Sequence, residues 1–146
     1  MNRKLNITTI IGAAFLVAAT PAIAERKPTT MGADARVTHV TYNPTDVIRV
    51  HTHLRVNTAI ELGNGERITQ VLLGDSESFE VEVLSNRQTI SIKPVIARAS
   101  SNMTVYTNRR AIAFYVTEGS VQRQTFRVVV NFPDDRPRRT VTATGS

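Results

Sequence analysis

An all-β fold, an antiparallel β-sandwich of about nine short strands, is what this sequence predicts. Three observations predict it. Short runs alternate apolar with polar residues, most clearly in Phe79-Glu80-Val81-Glu82-Val83, the period of a strand with one buried face. Turn-forming residues end these runs, at Asn43-Pro44, Gly63-Asn64-Gly65, Gly74-Asp75 and Ser85-Asn86. Beyond the first two dozen residues no apolar stripe repeats with the period of a helix.

The N-terminal residues 1–24 read as an export signal. Arg3 and Lys4 precede an apolar run from Ile7 to Ala19, and Pro21-Ala22-Ile23-Ala24 offers small residues at a cleavage site. The run is shorter than the ~20 residues that span a bilayer. The chain has no cysteine, which excludes disulfides, thiolate metal sites and a cysteine-linked lipid anchor. An exported domain without disulfides rests on its core alone and suits a bacterial periplasm. Loss of Arg3 and Lys4, with no acid lost, takes the net charge from +6 to +4.

Residues 25–34 are polar and read as a flexible lead-in to a single domain over 35–132. Arg36–Tyr42 alternates as the first strand, with Val40 and Tyr42 on one side, and Asn43-Pro44-Thr45-Asp46 breaks it. In Val47–Leu54, Ile48, Val50, Thr52 and Leu54 share one face and Arg49, His51 and His53 the other. Asn57–Leu62 is a short strand with Ala59 and Ile60 as inward candidates. Gly65 serves the following reversal. Ile68–Leu73 comes next. Phe79–Val83 and Thr89–Lys93 form a hairpin that buries Phe79, Val81, Val83, Ile90 and Ile92. Val95–Ser101 reads as an irregular crossover. Met103–Thr107 and Arg110–Val116 form a second hairpin, and Arg123–Phe132 is the last strand, with Phe126, Val128 and Val130 on one face. Residues 133–146, with their prolines and charges, read as a disordered basic tail or linker.

Four groups of residues bear on chemistry. His39, His51 and His53 are the metal candidates, since imidazoles two apart on a strand share a face. No carboxylate completes the set, and Arg49 beside it repels a cation. Gly74-Asp75-Ser76 echoes a short esterase motif, but no base and orienting acid follow, and a turn accounts for it. Glu80 and Glu82 stand roughly 7 Å apart on one strand face, a glycosidase separation, yet their alternation with Phe79, Val81 and Val83 marks them as solvated. Arg109, Arg110, Arg136, Arg138 and Arg139 are the clustered cations, candidates for contact with an acidic partner or nucleic acid. The remaining basic residues are dispersed singly, without the aromatic interleaving of single-strand binders. No enzyme and no cofactor is therefore expected, and direct nucleic acid binding is disfavoured.

One set of anchors, in order, carries more. They are Ala33-Asp34-Ala35-Arg36, Tyr42-Asn43-Pro44-Thr45-Asp46-Val47, Ala59-Ile60-Glu61-Leu62, Gly65-Glu66-Arg67-Ile68, Gly74-Asp75-Ser76 and Ile92-Lys93-Pro94. Ser101-Asn102-Met103-Thr104-Val105, Thr107, Arg110, Phe114-Tyr115-Val116 and Phe132-Pro133-Asp134-Asp135 complete them. In this order the sequence resembles the N-terminal domain of the TrbG/CagX family, the VirB-nine type proteins of conjugation and type IV secretion machines. The resemblance implies a β-sandwich in the periplasmic layer of an envelope-spanning core complex. It further implies a ring of like copies built with a TrbI-like (VirB-ten type) subunit and a small VirB-seven-type lipoprotein. Family members continue into a second β-domain that meets the lipoprotein. This sequence carries only the first, so lipoprotein contact is not among its expected roles. The other reading is an autonomous periplasmic module that binds an acidic partner or nucleic acid. The signal reading has a direct test: the exported protein is expected to begin at Glu25, checked by intact-mass measurement of the periplasmic form.

Overall fold

The computed structural model describes residues 25–30, 34–63 and 65–133, together with residues 12, 14 and 16. Apart from those last three, the expected signal lies outside the described residues, as do Arg136, Arg138, Arg139 and the rest of the tail beyond Pro133. Eleven strands follow in order: β1 (Glu25–Arg26), β2 (Thr29–Thr30), β3 (Val37–Thr41), β4 (Val47–Thr52), β5 (Thr58–Leu62), β6 (Ile68–Leu73), β7 (Phe79–Val83), β8 (Thr89–Pro94), β9 (Ser100–Thr107), β10 (Ala111–Glu118) and β11 (Arg127–Asn131). A 3-10 turn at Val121–Arg123 precedes β11. They form two sheets, β1-β4-β10-β9-β6 and β2-β3-β11-β5-β8-β7.

The inner faces of the two sheets make one core. Ile48 and Val50 of β4, Met103 and Val105 of β9, and Ile112, Phe114 and Val116 of β10 meet Ile60, Ile90, Ile92, Val128 and Val130 of the other sheet. Each is nearly or fully buried, and burying such side chains contributes about 1.5–3 kcal/mol apiece before entropy is counted. The alternation of β4 is as the sequence predicts: Ile48, Val50 and Thr52 are buried and their neighbours are not.

The all-β sandwich expected from the sequence is present, but its pairing is mixed rather than purely antiparallel. β4 runs parallel to β10, and β11 lies between β3 and β5, parallel to both. Side-chain alternation has the same period in either arrangement, so no residue pattern separates them. The expected lead-in is partly docked. β1 pairs with β4 and β2 with β3, Arg26 is ion-paired with Asp46, and Glu25 holds Arg49 at 2.5 Å. In β5, Thr58, Ile60 and Leu62 point inward and Ala59 does not. The buried Thr58 hydroxyl is satisfied because it donates to the Thr125 carbonyl at 2.6 Å. Phe126 stays out of the core, since the chain straightens only at Arg127. The ring is 39% exposed, with the Arg36 guanidinium 4.6 Å above it.

One end of the sandwich is closed by charge. Glu66 follows the turn at Gly65, whose φ of 84° demands glycine, and its side chain is wholly buried. One carboxylate oxygen accepts the Thr107 hydroxyl at 2.6 Å, and the other lies 2.8 Å from Arg110 Nε. The Arg110 guanidinium sits over Tyr42 and Phe132, at 5.2 and 4.4 Å from the ring centres, and those rings touch each other at 5.4 Å. Asn108 bonds both ways with Arg67, and its side-chain amide donates to the Gly65 carbonyl. The β5–β6 loop, the β9–β10 turn and the ends of β3 and β11 thus meet at one ion pair. Glu66→Ala is expected to cost about 3–5 kcal/mol, because it strands a buried cation. Glu66→Met with Arg110→Met is expected to recover most of that loss. Urea denaturation of the three proteins checks the order.

Candidate functional site

The histidines are placed by topology. His51 lies on the outward face of β4, where its register partner on β10 is Thr117, and its Nδ1 is 3.1 Å from the Thr117 hydroxyl. His53 follows the strand and directs Nδ1 at the Gly119 carbonyl, 2.7 Å away, with Glu118 Oε1 at 3.4 Å. That Glu118 carboxylate, 6% exposed, also accepts the Leu54 and Arg98 amides at 3.3 and 2.6 Å. His53 and Glu118 therefore anchor loops. His39 is on β3 in the other sheet, in register with Thr29 and Val129. The fold does not bring it to the other two, and no group of three metal-ligating side chains gathers among the described residues.

The motif at residues 74–76 is a turn. Asp75 accepts the amides of Glu77 and Ser78 at 3.1 Å each and the Ser78 hydroxyl at 2.5 Å. These bonds, the Ser78 hydroxyl foremost, hold its carboxyl below the usual range. A side chain on Gly74 would collide with the Asn102 amide oxygen. Glu80 and Glu82 are exposed on β7, and Glu80 is engaged by Lys93 at 2.8 Å.

Of the clustered arginines, Arg110 is the closing cation of the sandwich end, while Arg109 is exposed on the β9–β10 turn. The structure assembles a different basic site. Lys27, Arg36, Arg49, His51 and Arg123 line one cleft of about 210 Å³, with Gln122 and Gln124. An adjoining cleft of the same size shares Arg49, His51 and Arg123 and continues to Glu118 and Ser120. The residues come from the segment after β1, the approach to β3, the face of β4 and the 3-10 turn. Only the Arg49/His51 pair was legible in the sequence, as neighbours on one strand face. No spacing links Lys27, Arg36 and Arg123, which the fold alone brings together.

Some of this charge is already matched. Arg36 is gripped by Asp34 through two bonds of 2.9 and 2.7 Å, which with the Arg36 amide pull the Asp34 carboxyl down to about 2. Arg49 pairs with Glu25 and lies 5.4 Å from the centre of the Tyr115 ring. Arg123 Nε donates to the Ser120 hydroxyl at 3.4 Å. The site holds cations and amides around an imidazole, a set suited to gripping carboxylates by charge-assisted hydrogen bonds.

Burial first, then Arg123, Arg49 and Lys27, push the His51 pKa below its ordinary value. The folded state therefore disfavours the imidazolium. The stability this group contributes is full above the unfolded value of about 6.5 and is lost as the pH falls through the folded value. NMR titration is expected to find His51 protonating below a free histidine, and Arg123→Gln is expected to raise its midpoint.

Residues 35–144 match the CagX family, described as conjugal transfer protein. The chain is also similar to the type IV secretion system protein virB9 of Bartonella henselae, with 27% identity over 130 residues, covering 82% of this chain and 44% of that protein. The protein of the same name from Bartonella quintana is 27% identical over 149 residues, covering 92% of this chain and 51% of the relative. The chain spans about half the length of the curated relatives it matches.

Proposed function

Because the chain belongs to the CagX family of conjugal transfer proteins, we propose that it is a structural subunit of a type IV secretion or conjugal DNA-transfer core complex. In this reading its β-sandwich stands in a periplasmic ring of like copies and packs against a TrbI-like subunit. The carrying observation is the extent of the family match, which runs over residues 35–144 and so takes in every strand from β3 to β11. The role needs no turnover and no cofactor. Among the described residues, His53 and Glu118 hold loops, and Asp75 holds a turn.

The cationic cleft is the surface this reading assigns to an acidic segment of the protein partner. Contact with a lipoprotein is not assigned to this sandwich, since the resemblance places that contact on a second domain. Direct contact with the transported nucleic acid is not part of the role. The cleft also supports a second reading, a free-standing periplasmic module for an acidic partner, which the same experiment separates from the first.

Co-expression of the tagged mature chain with the TrbI-like subunit of its own operon is expected to give one stoichiometric complex on purification. Arg49→Glu with Arg123→Glu is expected to weaken that complex at least tenfold while leaving the fold intact by circular dichroism. Recovery of the chain alone, with the partner folded and abundant in the same extract, would sink the channel reading and leave the free-standing module.

A further inference from the structure

The two sheets have four edges, and three are guarded. β1 and β2 are two residues long, too short to template another strand. β7 presents Glu80 and Glu82, with Lys93 beside it on β8. Short strands and charges are the usual protection of an edge. β6 has neither. Its own six residues, Ile68–Leu73, include no charge and no proline, and among the described strands it pairs with β9 alone.

Over Val71–Leu73 the strand is apolar on both faces. Val71 and Leu73 pack, partly buried, against the core, while Leu72 between them is 48% exposed on the opposite face. An exposed apolar edge is a ready template for pairing with another strand. Its free backbone groups can be identified. The Gly74 amide donates to the Asn102 carbonyl of β9 at 3.0 Å, and Leu72 is in register with Thr104. Antiparallel alternation then turns the Leu72 backbone toward β9 and the amides and carbonyls of Val71 and Leu73 away from it.

We infer that β6 is a self-pairing interface: the β6 strands of two copies add antiparallel, with the two-fold axis passing between their Leu72 residues. In this register Val71 of each copy faces Leu73 of the other, and their free amides and carbonyls satisfy one another. Leu72 faces its twin at a non-hydrogen-bonded site, where side chains stand closest. Gln70 falls opposite Gly74, which offers no side chain to obstruct it. A second copy is the occupant that fits, because an identical uncharged edge sets no like charges face to face and covers both exposed leucines at once. The contact is isologous, so it is separate from the head-to-tail contact a ring needs, and loss of the TrbI-like partner leaves it intact.

The natural absence of cysteine makes the test clean. The Cα atoms of two facing Leu72 residues would lie about 4.5 Å apart, within the range a disulfide bridges, about 4.4–6.8 Å. Under mild oxidation, Leu72→Cys in the mature chain is expected to give a covalent dimer. Val121→Cys, at an equally exposed position away from the edge, is expected to form no covalent dimer. Sedimentation of the natural mature chain is expected to show the dimer mass. Val71→Pro, which removes only a free-edge amide, and Leu72→Lys, which sets two cations on the axis, are each expected to abolish it with the fold retained by circular dichroism. A natural chain that sediments as a monomer at all accessible concentrations overturns the inference. So does equal cross-linking of the two cysteine variants, or a dimer that persists in Leu72→Lys.

Discussion

The ion pair between Glu66 and Arg110 is the constraint on which the rest of this molecule depends. A sandwich of two sheets is held in its middle by apolar contact, which is strong but not directional. At its end something must fix how the sheets stand against each other. Here a wholly buried carboxylate on the loop that crosses from β5 to β6 is matched by a guanidinium from the β9–β10 turn. That guanidinium also lies over Tyr42 and Phe132, which extend β3 and β11 of the other sheet. A buried pair of this kind adds little net stability over an apolar substitute, but it tolerates no loss of one partner. Registry is therefore the physical role best suited to it.

The same interaction shows where reading the sequence succeeds and where it stops. Arg110 was visible as one half of a charged doublet at a hairpin turn, which read as a solvated cluster open to an acidic partner. Nothing local to residues 107–110 indicates that Glu66, 44 positions upstream in the chain, lies against it. Strand existence was legible because the 2-residue period is written in β4, β7 and β8 themselves. Strand partnership was not, because parallel and antiparallel neighbours impose the same alternation. The inward face of β5 differs from the expected one at Ala59 for a related reason: Thr58 looks polar until its distant acceptor, the Thr125 carbonyl, is known.

The candidate sites divide along the same line. His51 and His53 share a strand face as their spacing implies, yet His39 belongs to the other sheet, so the triad that spacing permits is never assembled. The basic cleft is the converse case, with Lys27, Arg36, Arg49 and Arg123 drawn together from four separate segments. Polar side chains such as Asp75, Glu118 and Glu66 serve a turn, loops and a sheet end, while four of the cations gather in one concavity. The family match over residues 35–144 is in keeping with that character.

The placement of β11 carries a consequence for how the molecule comes into being. It is the last described strand in the chain, yet it occupies an interior position between β3 and β5. Until it arrives, those two strands face each other across a gap one strand wide, roughly 10 Å from β3 to β5, with unpaired backbone on both sides. A chain made from its N-terminus onward therefore cannot complete the second sheet piecemeal. Closure waits for residues 127–131 and then occurs as a single insertion that pairs two parallel ladders at once. Such late, long-range pairing is intrinsically slow, and it keeps the nascent chain open and threadable for as long as β11 is still to come.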